Sequence, residues 1–563
     1  MTAFHEFLPK SYLYLRSGYS TVFFKKDLLA GLTVAIIALP LAMAFAIASG
    51  VAPEKGLITA IIAGFLISAL GGSRVQIGGP TGAFVVIVYG IIQRTGYEGL
   101  AVSTLIASAL LLMFGLFRLG SWIKYVPHPL ITGFTTGIAV IIFSSQMKDF
   151  FGLKMGVVPA DFVHKWIAYF QAFNTFSSPT LLVSVSTLGV ILFFRKFVPK
   201  IPWGIAAIVI ATSICVLFQL PVETIQSKFG EIPRSLPWPE LPSFSGLSGK
   251  WGEIFTDGVT IAFLGAIESL LSAVIADGMI GGRHKSNCEL IGQGIANFFS
   301  VLFGGIPATG AIARTAANVK TGAETPVAGM LHAVFLFLII LFFAPIVSQI
   351  PLAALSAVLV MVAWNMSEID HFVRLFKAPF GDVATMLTAF LLTVFVDITV
   401  AISLGMVLAS FFFMKKMSEF SKTVQLTKLF KEPRQEFPER TDPDAIENKI
   451  VPPNVEVYEI NGPFFFGVAD MLKDLTIVFT PPPKVFILRM RHVPMIDASG
   501  MHALKEFFQR CQREKTTLLL SGVHGQTAAD LKRFGLTKLI GEEHIFPHID
   551  KALARAAIIS SSH

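Results

Sequence analysis

Residues 71–83 read GGSRVQIGGPTGA, and residues 304–311 repeat its beginning and end in the shorter form GGIPATGA. Each stretch follows an apolar span that ends in Gly-Gly, contains a proline (Pro80 or Pro307) and opens an unusually short apolar segment with Thr-Gly-Ala. Short segments interrupted by glycine and proline, at matching places in two halves of a membrane chain, are typical of a transporter's binding site. We therefore expect two half-helix N-termini to meet near the bilayer midplane and to hold an anion.

The composition places most of the chain in a membrane. Of the 563 residues, 53% are hydrophobic and 15% are charged, and the mean hydropathy is +0.67. No soluble globular protein needs that much apolar surface. The three cysteines match no disulfide or zinc spacing. The net charge of +8 lies largely at the ends of apolar segments, so it indicates membrane topology and not nucleic-acid binding.

The apolar segments predict about fourteen membrane segments, two of them half-spans. The predicted segments are 28–50, 56–71, the half-span 80–93, 98–118, 124–146, 180–197, 202–219, 256–277, 287–304, the half-span 309–319, 325–347, 351–366, 381–397 and 399–416. Residues 31–50 align with residues 258–278, so the first and second halves look like two copies. An odd number of spans in each copy makes the two repeats inverted.

The distribution of Lys and Arg predicts that both termini are cytoplasmic, in a cell (inner) membrane. Basic residues precede the first span and recur in alternate loops, whereas three loops of the opposite side carry none. The exception is the longer loop 147–165, which carries Lys148, Lys154 and Lys165. The N-terminus lacks the small-residue cleavage pattern of a signal peptide, so we expect the first span to be retained.

Composition also divides the chain into regions. We predict a cytoplasmic N-terminal segment (1–27), a membrane domain (28–416), a charged, Pro-rich linker (417–452) and a soluble α/β domain (453–563). The last region alternates between strand and helix patterns. The predicted elements are strand 455–460, helix 466–477, strand 484–491, helix 500–513, strand 516–523 and helices 526–535 and 544–557.

The predicted anion site consists of two helix starts. Thr, Gly and Ala suit such positions, because small residues let an anion approach the backbone N–H groups and Thr adds a hydroxyl. One helix end contributes only about 0.3–2 kcal/mol to anion binding. Arg314, about one turn into the second half-helix, can add a full charge and two parallel donors. The alternative is that Arg314 faces a cytoplasmic vestibule or an ion-pair partner.

Glu268 lies well inside an apolar span, with Ser272 one turn further on the same face. A carboxylate there must be protonated, paired or bound to a cation. Importing one negative charge against a potential of about 100 mV costs roughly 2.3 kcal/mol, so concentrative uptake needs a coupled cation or a counter-anion. Glu268 is our choice for coupling; the alternative is a structural salt bridge, for instance with Arg314.

These motifs as a set resemble the SulP anion transporters, the sulfate-permease family that includes animal solute carrier family 26. The resemblance covers essentially the full length. It is closest to the bacterial branch that includes the enterobacterial C4-dicarboxylate transporter, and other branches carry sulfate, or bicarbonate with sodium. The motifs that carry the resemblance are DLLAGLTVAIIALPLAMAFAIASG, GGPTGAFVVIVYG, LGAIESLLSAVIADGM, SNCELIGQG, TGAIARTAANVKTGAETP and MIDASG.

The resemblance implies an α-helical polytopic membrane protein with fourteen spans as seven-plus-seven inverted repeats. A core (about 28–118 and 256–347) moves as an elevator against a gate (about 124–219 and 351–416), usually in a homodimer. The family's anion site falls on the two half-helices. The substrate-binding residues expected here are Pro80, Thr81, Gly82, Ala83, Thr309, Gly310, Ala311, Ala313 and Arg314. Animal relatives that bind chloride or oxalate have Ser at the position of Ala313, so one hydroxyl contact is missing here.

The resemblance also bears on coupling. In the family's cyanobacterial sodium–bicarbonate transporters, Asp takes the position of Glu268 and Thr that of Ser272, and backbone near Gly310 and Ala311 completes a sodium site. The change from Asp to Glu favours a proton as the coupling ion, with sodium as the alternative. No other metal and no organic cofactor are expected.

The C-terminal region resembles STAS domains, named for sulfate transporters and anti-sigma factor antagonists. In the stand-alone antagonists, the residue matching Ser499 is phosphorylated at a helix start. The simpler interpretation is that Asp497 or Ser499 caps that helix. We expect a role in dimerisation, assembly or docking of a cytoplasmic protein partner.

The sequence therefore predicts a secondary active transporter for a small anion (sulfate, C4-dicarboxylate or bicarbonate), coupled to protons through Glu268. The alternatives are a sodium symporter, an anion exchanger or channel, and an anion sensor that signals through the STAS domain. An enzyme is not expected, because the chain shows no nucleophile–base pair, phosphate-binding loop or metal cluster.

Overall fold

The computed structural model describes residues 6–121, 126–156, 158–198, 201–244, 246–420, 422–425, 446, 449–465 and 482–561. The chain divides into two compact units, Met1–Ala409 and Ser410–His563. The predicted linker falls mostly on residues outside the described ranges. The predicted helix 466–477 lies entirely outside them.

Helices make up nearly all of the first unit. They are α1 (Lys10–Arg16), α2 (Thr21–Ala48), α3 (Pro53–Leu70), α4 (Gly82–Leu116), α5 (His128–Ser145), α6 (Met147–Phe151), α7 (Phe162–Ala172), α8 (Ser178–Phe197), α9 (Trp203–Leu217), α10 (Ile225–Phe229), α11 (Trp251–Ile280), α12 (Ser286–Leu302), α13 (Ile312–Lys320), α14 (Val327–Ser348), α15 (Leu352–Met366), α16 (Ile369–Leu375), α17 (Phe380–Phe395) and α18 (Ile398–Phe420), which continues into the second unit. Two short strands, β1 (Gly78–Gly79) and β2 (Thr309–Gly310), precede α4 and α13.

Each predicted apolar segment coincides with a helix, although some ends differ. The helix of the first predicted span, α2, begins at Thr21 because the Ser20 side chain accepts a hydrogen bond from the Phe23 N–H and caps it. The predicted half-span 80–93 and the next segment follow one another in α4 without a loop. Their boundary is a single residue, Gly96, whose φ of 71° is readily adopted only by glycine.

The first unit is a multi-pass membrane structure. Among the described residues, nine helices are long and apolar enough to cross a bilayer, and α9 and α17 are shorter apolar helices. Large apolar side chains stand exposed on several outer helices, as a lipid-facing surface requires. Examples are Leu182, Leu217, Phe342 and Phe413.

The long helices pack mainly within two groups. The first bundle contains α2, α3, α4, α11, α12 and α14, and the second bundle contains α5, α8, α9, α15 and α17. Small residues bring helices of the first bundle close together, as is common where lipid supplies no hydrophobic drive for association. Gly56 of α3 lies so close to α2 that an added Cβ would clash with the Ala42 carbonyl oxygen.

The second unit contains a five-stranded sheet. Its strands are β3 (Lys422–Gln425), β4 (Val455–Asn461), β5 (Val485–His492), β6 (Thr517–Ser521) and β7 (Ile545–Phe546), and its helices are α19 (Ala498–Arg513), α20 (Gly525–Arg533), α21 (Leu536–Ile540) and α22 (Ile549–Ser561). The strand order is β3-β4-β5-β6-β7, with β3 antiparallel to β4 and the other pairs parallel. The predicted last helix therefore starts later than expected, because residues 545–546 join the sheet.

Both faces of this sheet are buried, as is typical of parallel strands. Leu504 and Phe507 of α19 pack with Leu488 on one face. Ile549 and Leu553 of α22 pack with other strand residues on the opposite face. Asp497 caps α19, since its Oδ1 accepts a hydrogen bond from the Gly500 N–H at 2.7 Å. Ser499 is exposed in the first turn.

The α2–α3 contact predicts the effect of Gly56→Ala. The added methyl forces two backbones apart, and overpacking of this kind costs about 1–3 kcal/mol. The apparent unfolding temperature of the purified protein should fall. Gly189→Ala is the control, because a Cβ on Gly189 meets open space. Equal unfolding temperatures for the two variants would contradict this packing.

The cap of α19 predicts a difference between two neighbouring substitutions. Asp497→Ala should destabilise the first turn by about 0.5–2 kcal/mol, whereas Ser499→Ala should have little effect. Hydrogen exchange of peptides from residues 498–513, followed by mass spectrometry on the full chain, measures this directly. Faster exchange in Ser499→Ala than in Asp497→Ala would show that the cap has been misassigned.

Candidate functional site

The two sequence breaks pair with each other. Gly78 lies opposite Gly310 and Gly79 opposite Thr309 in an antiparallel ladder, and the Ala311 N–H donates to the Ile77 carbonyl at 2.8 Å. Non-helical backbone at membrane depth is tolerated only where protein satisfies its polar groups. The pairing does this, and it brings together the two segments that lead into α4 and α13.

The first helix start is formed by Thr81, Gly82 and Ala83. Thr81 has extended backbone geometry and precedes α4, but its side chain does not cap the helix. Its hydroxyl donates instead to Oε2 of Glu268 at 2.8 Å. The Thr81 side chain therefore does not cap the N–H groups of the first turn of α4. These N–H groups are suited to bind an anion.

Gly82 faces the narrow space between the two bundles. A Cβ at this position would lie 3.2 Å from Ile142 Cδ1, 3.3 Å from Met366 Sδ and 3.4 Å from Phe45 Cε1. Ile142 and Met366 belong to the second bundle, whereas Gly82 and Phe45 belong to the first. The helix start is thus covered by apolar side chains from both sides.

The second helix starts later than the sequence predicted. Thr309 and Gly310 lie in β2, Ala311 precedes the helix and Ile312 is its first residue. The Thr309 hydroxyl donates to the Gly265 carbonyl at 2.9 Å, so it supports α11 and does not point freely toward an anion. Ile312 and Ala313 are exposed at the start of α13.

Arg314 is 2% exposed and reaches back toward the first break. Its Nη2 donates to the Pro80 carbonyl at 2.9 Å, and a Cβ on Gly79 would lie 2.5 Å from its Nη1. Nη1 has no hydrogen-bond partner among the described residues. The alternatives for Arg314 were exposure to a cytoplasmic vestibule and an ion pair. In this structure the side chain is buried, and it makes no ion pair with Glu268. Its guanidinium lies beside the first break, at Gly79 and Pro80.

The structure separates the two predicted coupling residues. Glu268 is partly exposed and bonds Thr81 of α4. Ser272 is fully buried, and its hydroxyl donates to Oγ1 of Thr315 at 3.2 Å. The same Thr315 oxygen accepts from the Ile77 N–H at 3.0 Å. Glu268 therefore touches one half-helix, and Ser272 supports the other.

A buried polar network behind the site was missed by the sequence analysis. The Ser269 hydroxyl accepts from Nε2 of Gln76 at 2.8 Å and of Gln293 at 2.9 Å, and it donates to Oε1 of Glu289 at 3.2 Å. Oε2 of Glu289 accepts from the N–H groups of Gly72 and Ser73. A recognisable signal was present, because Glu289 and Gln293 lie one turn apart within a predicted membrane segment.

Two half-helices that start at a paired break, inside a bundle of apolar helices, define the class of the molecule. Discontinuous helices of this kind form the binding sites of secondary transporters. The chain accordingly has the architecture of a helical membrane transporter with a separate α/β domain.

The family follows from comparison with known proteins. The sulfate permease family matches residues 24–389, and the STAS domain matches residues 448–552. Bacillus subtilis YvdB, named for sulfate transport, is 42% identical over 95% of this chain and 98% of its own length. The bicarbonate transporter BicA of a Picosynechococcus species is 29% identical over 94% of each chain. The chain therefore belongs to the sulfate permease family.

Solved structures show the same fold. Murine solute carrier 26 member A9, an anion transporter, superposes with a TM-score of 0.86 at 18% identity, covering 99% of this chain and 95% of that one. The transmembrane domain of a cyanobacterial BicA superposes with a TM-score of 0.61 at 30% identity, covering 68% of this chain and 97% of that one. The family matches and the curated relatives confirm the predicted family, the STAS domain and a transporter rather than an enzyme.

The position of Arg314 predicts that its charge contributes more to anion binding than the charge of Lys320. Lys320 is exposed at the far end of the same helix. Arg314→Ala should weaken anion binding at least about tenfold, equivalent to about 1.4 kcal/mol, and Lys320→Ala should change it little. Titration calorimetry measures both affinities on purified variants that elute like the wild type in size-exclusion chromatography. Equal losses of affinity in the two variants would indicate that the anion binds nearer the exposed end of α13.

Proposed function

We propose that this chain is a secondary active transporter that carries a small anion through the membrane and couples the movement to protons through Glu268. Sulfate and bicarbonate are the first substrates to consider, because relatives over nearly the full length are named for them. A C4-dicarboxylate is the third. The proposal includes about fourteen spans, an elevator movement of the first bundle against the second, a homodimer and cytoplasmic termini in the inner membrane.

The observation that carries the proposal is the pairing of β1 with β2. It joins the segments that lead into α4 and α13, so the two helix N-termini, each equivalent to about half a positive charge, can act on one anion. The buried guanidinium of Arg314 bonds the Pro80 carbonyl, which directly precedes Thr81, and adds a full charge. Backbone N–H donors of this kind do not select one ligand shape, so the site suits several small oxyanions.

The Thr81–Glu268 hydrogen bond links this anion site to proton coupling. An ionised Glu268 would repel an anion at the start of α4. For two unit charges about 6 Å apart, that repulsion is on the order of 3 kcal/mol at an effective dielectric constant near 20. Protonation of Glu268 removes the repulsion, so anion and proton binding favour each other reciprocally. Symport then needs only that the empty and the fully loaded carrier change conformation.

Sodium is the alternative coupling ion, with Glu268, Ser272, Gly310 and Ala311 as its oxygen donors. Oxygen ligands suit a hard cation. In this chain, however, the Ser272 hydroxyl bonds Thr315, the Ala311 carbonyl accepts from the Thr315 N–H, and Gly310 is paired with Gly78. These contacts favour a proton over sodium.

The remaining alternatives concern the cycle and its regulation. An exchanger or channel would move the anion without using Glu268. A sensor would change the binding of a cytoplasmic partner to the STAS domain without net flux. Phosphorylation of Ser499 is a further regulatory proposal, supported by its exposure in the first turn of α19, where added negative charge is favourable.

Proteoliposome uptake of labelled sulfate, bicarbonate and succinate tests the proposal under an inward proton gradient, an inward sodium gradient and neither. We expect one anion to enter faster with the proton gradient. Glu268→Gln should abolish that stimulation and lower gradient-driven uptake at least about tenfold, although its amide oxygen can still accept the Thr81 hydrogen bond.

Glu253→Gln is the control, because Glu253 is exposed at the start of the same helix. Equal flux under all three conditions would indicate exchange or a channel. Sodium-driven uptake lost in Glu268→Gln would assign sodium as the coupling ion. Absence of flux for every anion would favour the sensor.

A further inference from the structure

A cavity of about 510 Å³ lies between the two bundles, separate from the paired breaks. Val85 and Val86 of α4 and Ile141 of α5 line one part of it. These residues are within about one turn of Ala83 and next to Ile142, which covers Gly82. The cavity therefore ends just beyond the apolar residues that cover the proposed anion site. In the proposed topology, it opens toward the outside.

Most charged groups lining this cavity already have partners. Asp257 pairs with Arg94 at 2.7 Å, and Asp149 pairs with Lys228 at 3.2 Å. Asp397 accepts from the Thr399 N–H at 2.6 Å.

Two further charged groups between α5 and α8, Asp161 and Lys148, are also satisfied. Asp161 accepts from the His164 N–H at 2.8 Å, and its Oδ1 lies 2.7 Å from the His164 ring nitrogen. The Lys148 ammonium donates to the carbonyls of Met155 and Gly156 at 3.0 and 3.1 Å.

Lys165 of α7 differs from all of these. It lines the cavity and is only 3% exposed, yet its ammonium makes no hydrogen bond or ion pair with any residue that the structure describes. Its Nζ lies 5.7 Å from the centre of the Tyr89 ring, which also lines the cavity. The Tyr89 hydroxyl donates to the Val158 carbonyl at 2.5 Å and does not reach Lys165. A buried ammonium without a partner is costly.

We propose that Lys165 anchors a second anion site, in which an incoming small oxyanion binds before it reaches the starts of α4 and α13. The proposal rests on the proposed function only for the direction of travel. The cavity is larger than one sulfate or bicarbonate ion, so the anion keeps part of its water there. The Lys165 ammonium supplies the charge, and the Tyr89 ring borders the same space.

The pKa of Lys165 gives this site a pH dependence. Burial lowers that pKa to about 8, and the nearby Asp161 carboxylate opposes the shift. Protonated Lys165 attracts an anion and the neutral amine does not. Binding at this site should therefore weaken as the outside pH rises through about 8. The other charged groups that face the cavity are the paired ones named above.

Chemical protection of the amine tests the site without requiring transport. The purified full chain is treated with formaldehyde and cyanoborohydride, and methylation of each lysine is followed by mass spectrometry. Sodium sulfate or sodium bicarbonate, at constant ionic strength, should slow methylation of Lys165 several-fold in a saturable way. Methylation of Lys154, exposed on the same loop, should not change. The protection should persist in Arg314→Ala, which isolates it from the first site.

Uptake kinetics supply the second readout. Lys165→Met should raise KM several-fold with little change in kcat, Lys165→Arg should restore KM and keep it constant across the pKa of the lysine, and Lys154→Met should match the wild type. Absence of protection by both anions, or an unchanged KM in folded Lys165→Met, overturns the proposal. Protection without flux in the wild type would instead reject the proposed transport and retain the second site.

Discussion

Every unpaired backbone group inside a bilayer costs several kcal/mol, and this chain interrupts its helices twice at membrane depth. The β1–β2 ladder resolves both interruptions at once, because each break supplies the partners that the other needs. The rest of the site depends on that ladder. It fixes where α4 and α13 begin, and it gives the Arg314 guanidinium a carbonyl to bind at Pro80. The polar network around Ser269 holds the adjoining segment in place.

These contacts show which groups would supply the positive charge at the proposed anion site. Charge comes from the backbone and from a buried arginine, so attraction for an anion requires little from side chains that face the ligand. The neighbours of Gly82, namely Phe45, Ile142 and Met366, are apolar and come from both bundles. A relative movement of the bundles would uncover the helix start on one side or the other. Glu268 bonds Thr81 directly, and in the proposed cycle it is the group whose charge we expect to change.

Much of this was predictable from the sequence, because the Thr-Gly-Ala repeat and the apolar segments are local patterns. The strand pairing was not, since the breaks differ in length and nothing local shows that Gly78 lies opposite Gly310. Thr309 was therefore assigned to a helix although it lies in β2. The role of Glu289 was not predicted, because the Gly72 and Ser73 N–H groups that it binds are distant in sequence. In the sequence, Lys165 was only part of the loop that departs from the expected distribution of Lys and Arg. Its burial depends on how that loop folds.

The proposed transport requires that an anion binds between the starts of α4 and α13. Electron cryo-microscopy of the full chain in lipid nanodiscs, with and without a saturating concentration of the transported anion, tests it most directly. We expect added density within hydrogen-bond distance of the backbone N–H groups at Gly82–Phe84 and Ile312–Arg314. No added density there, with the anion bound only elsewhere in the membrane domain, would contradict it.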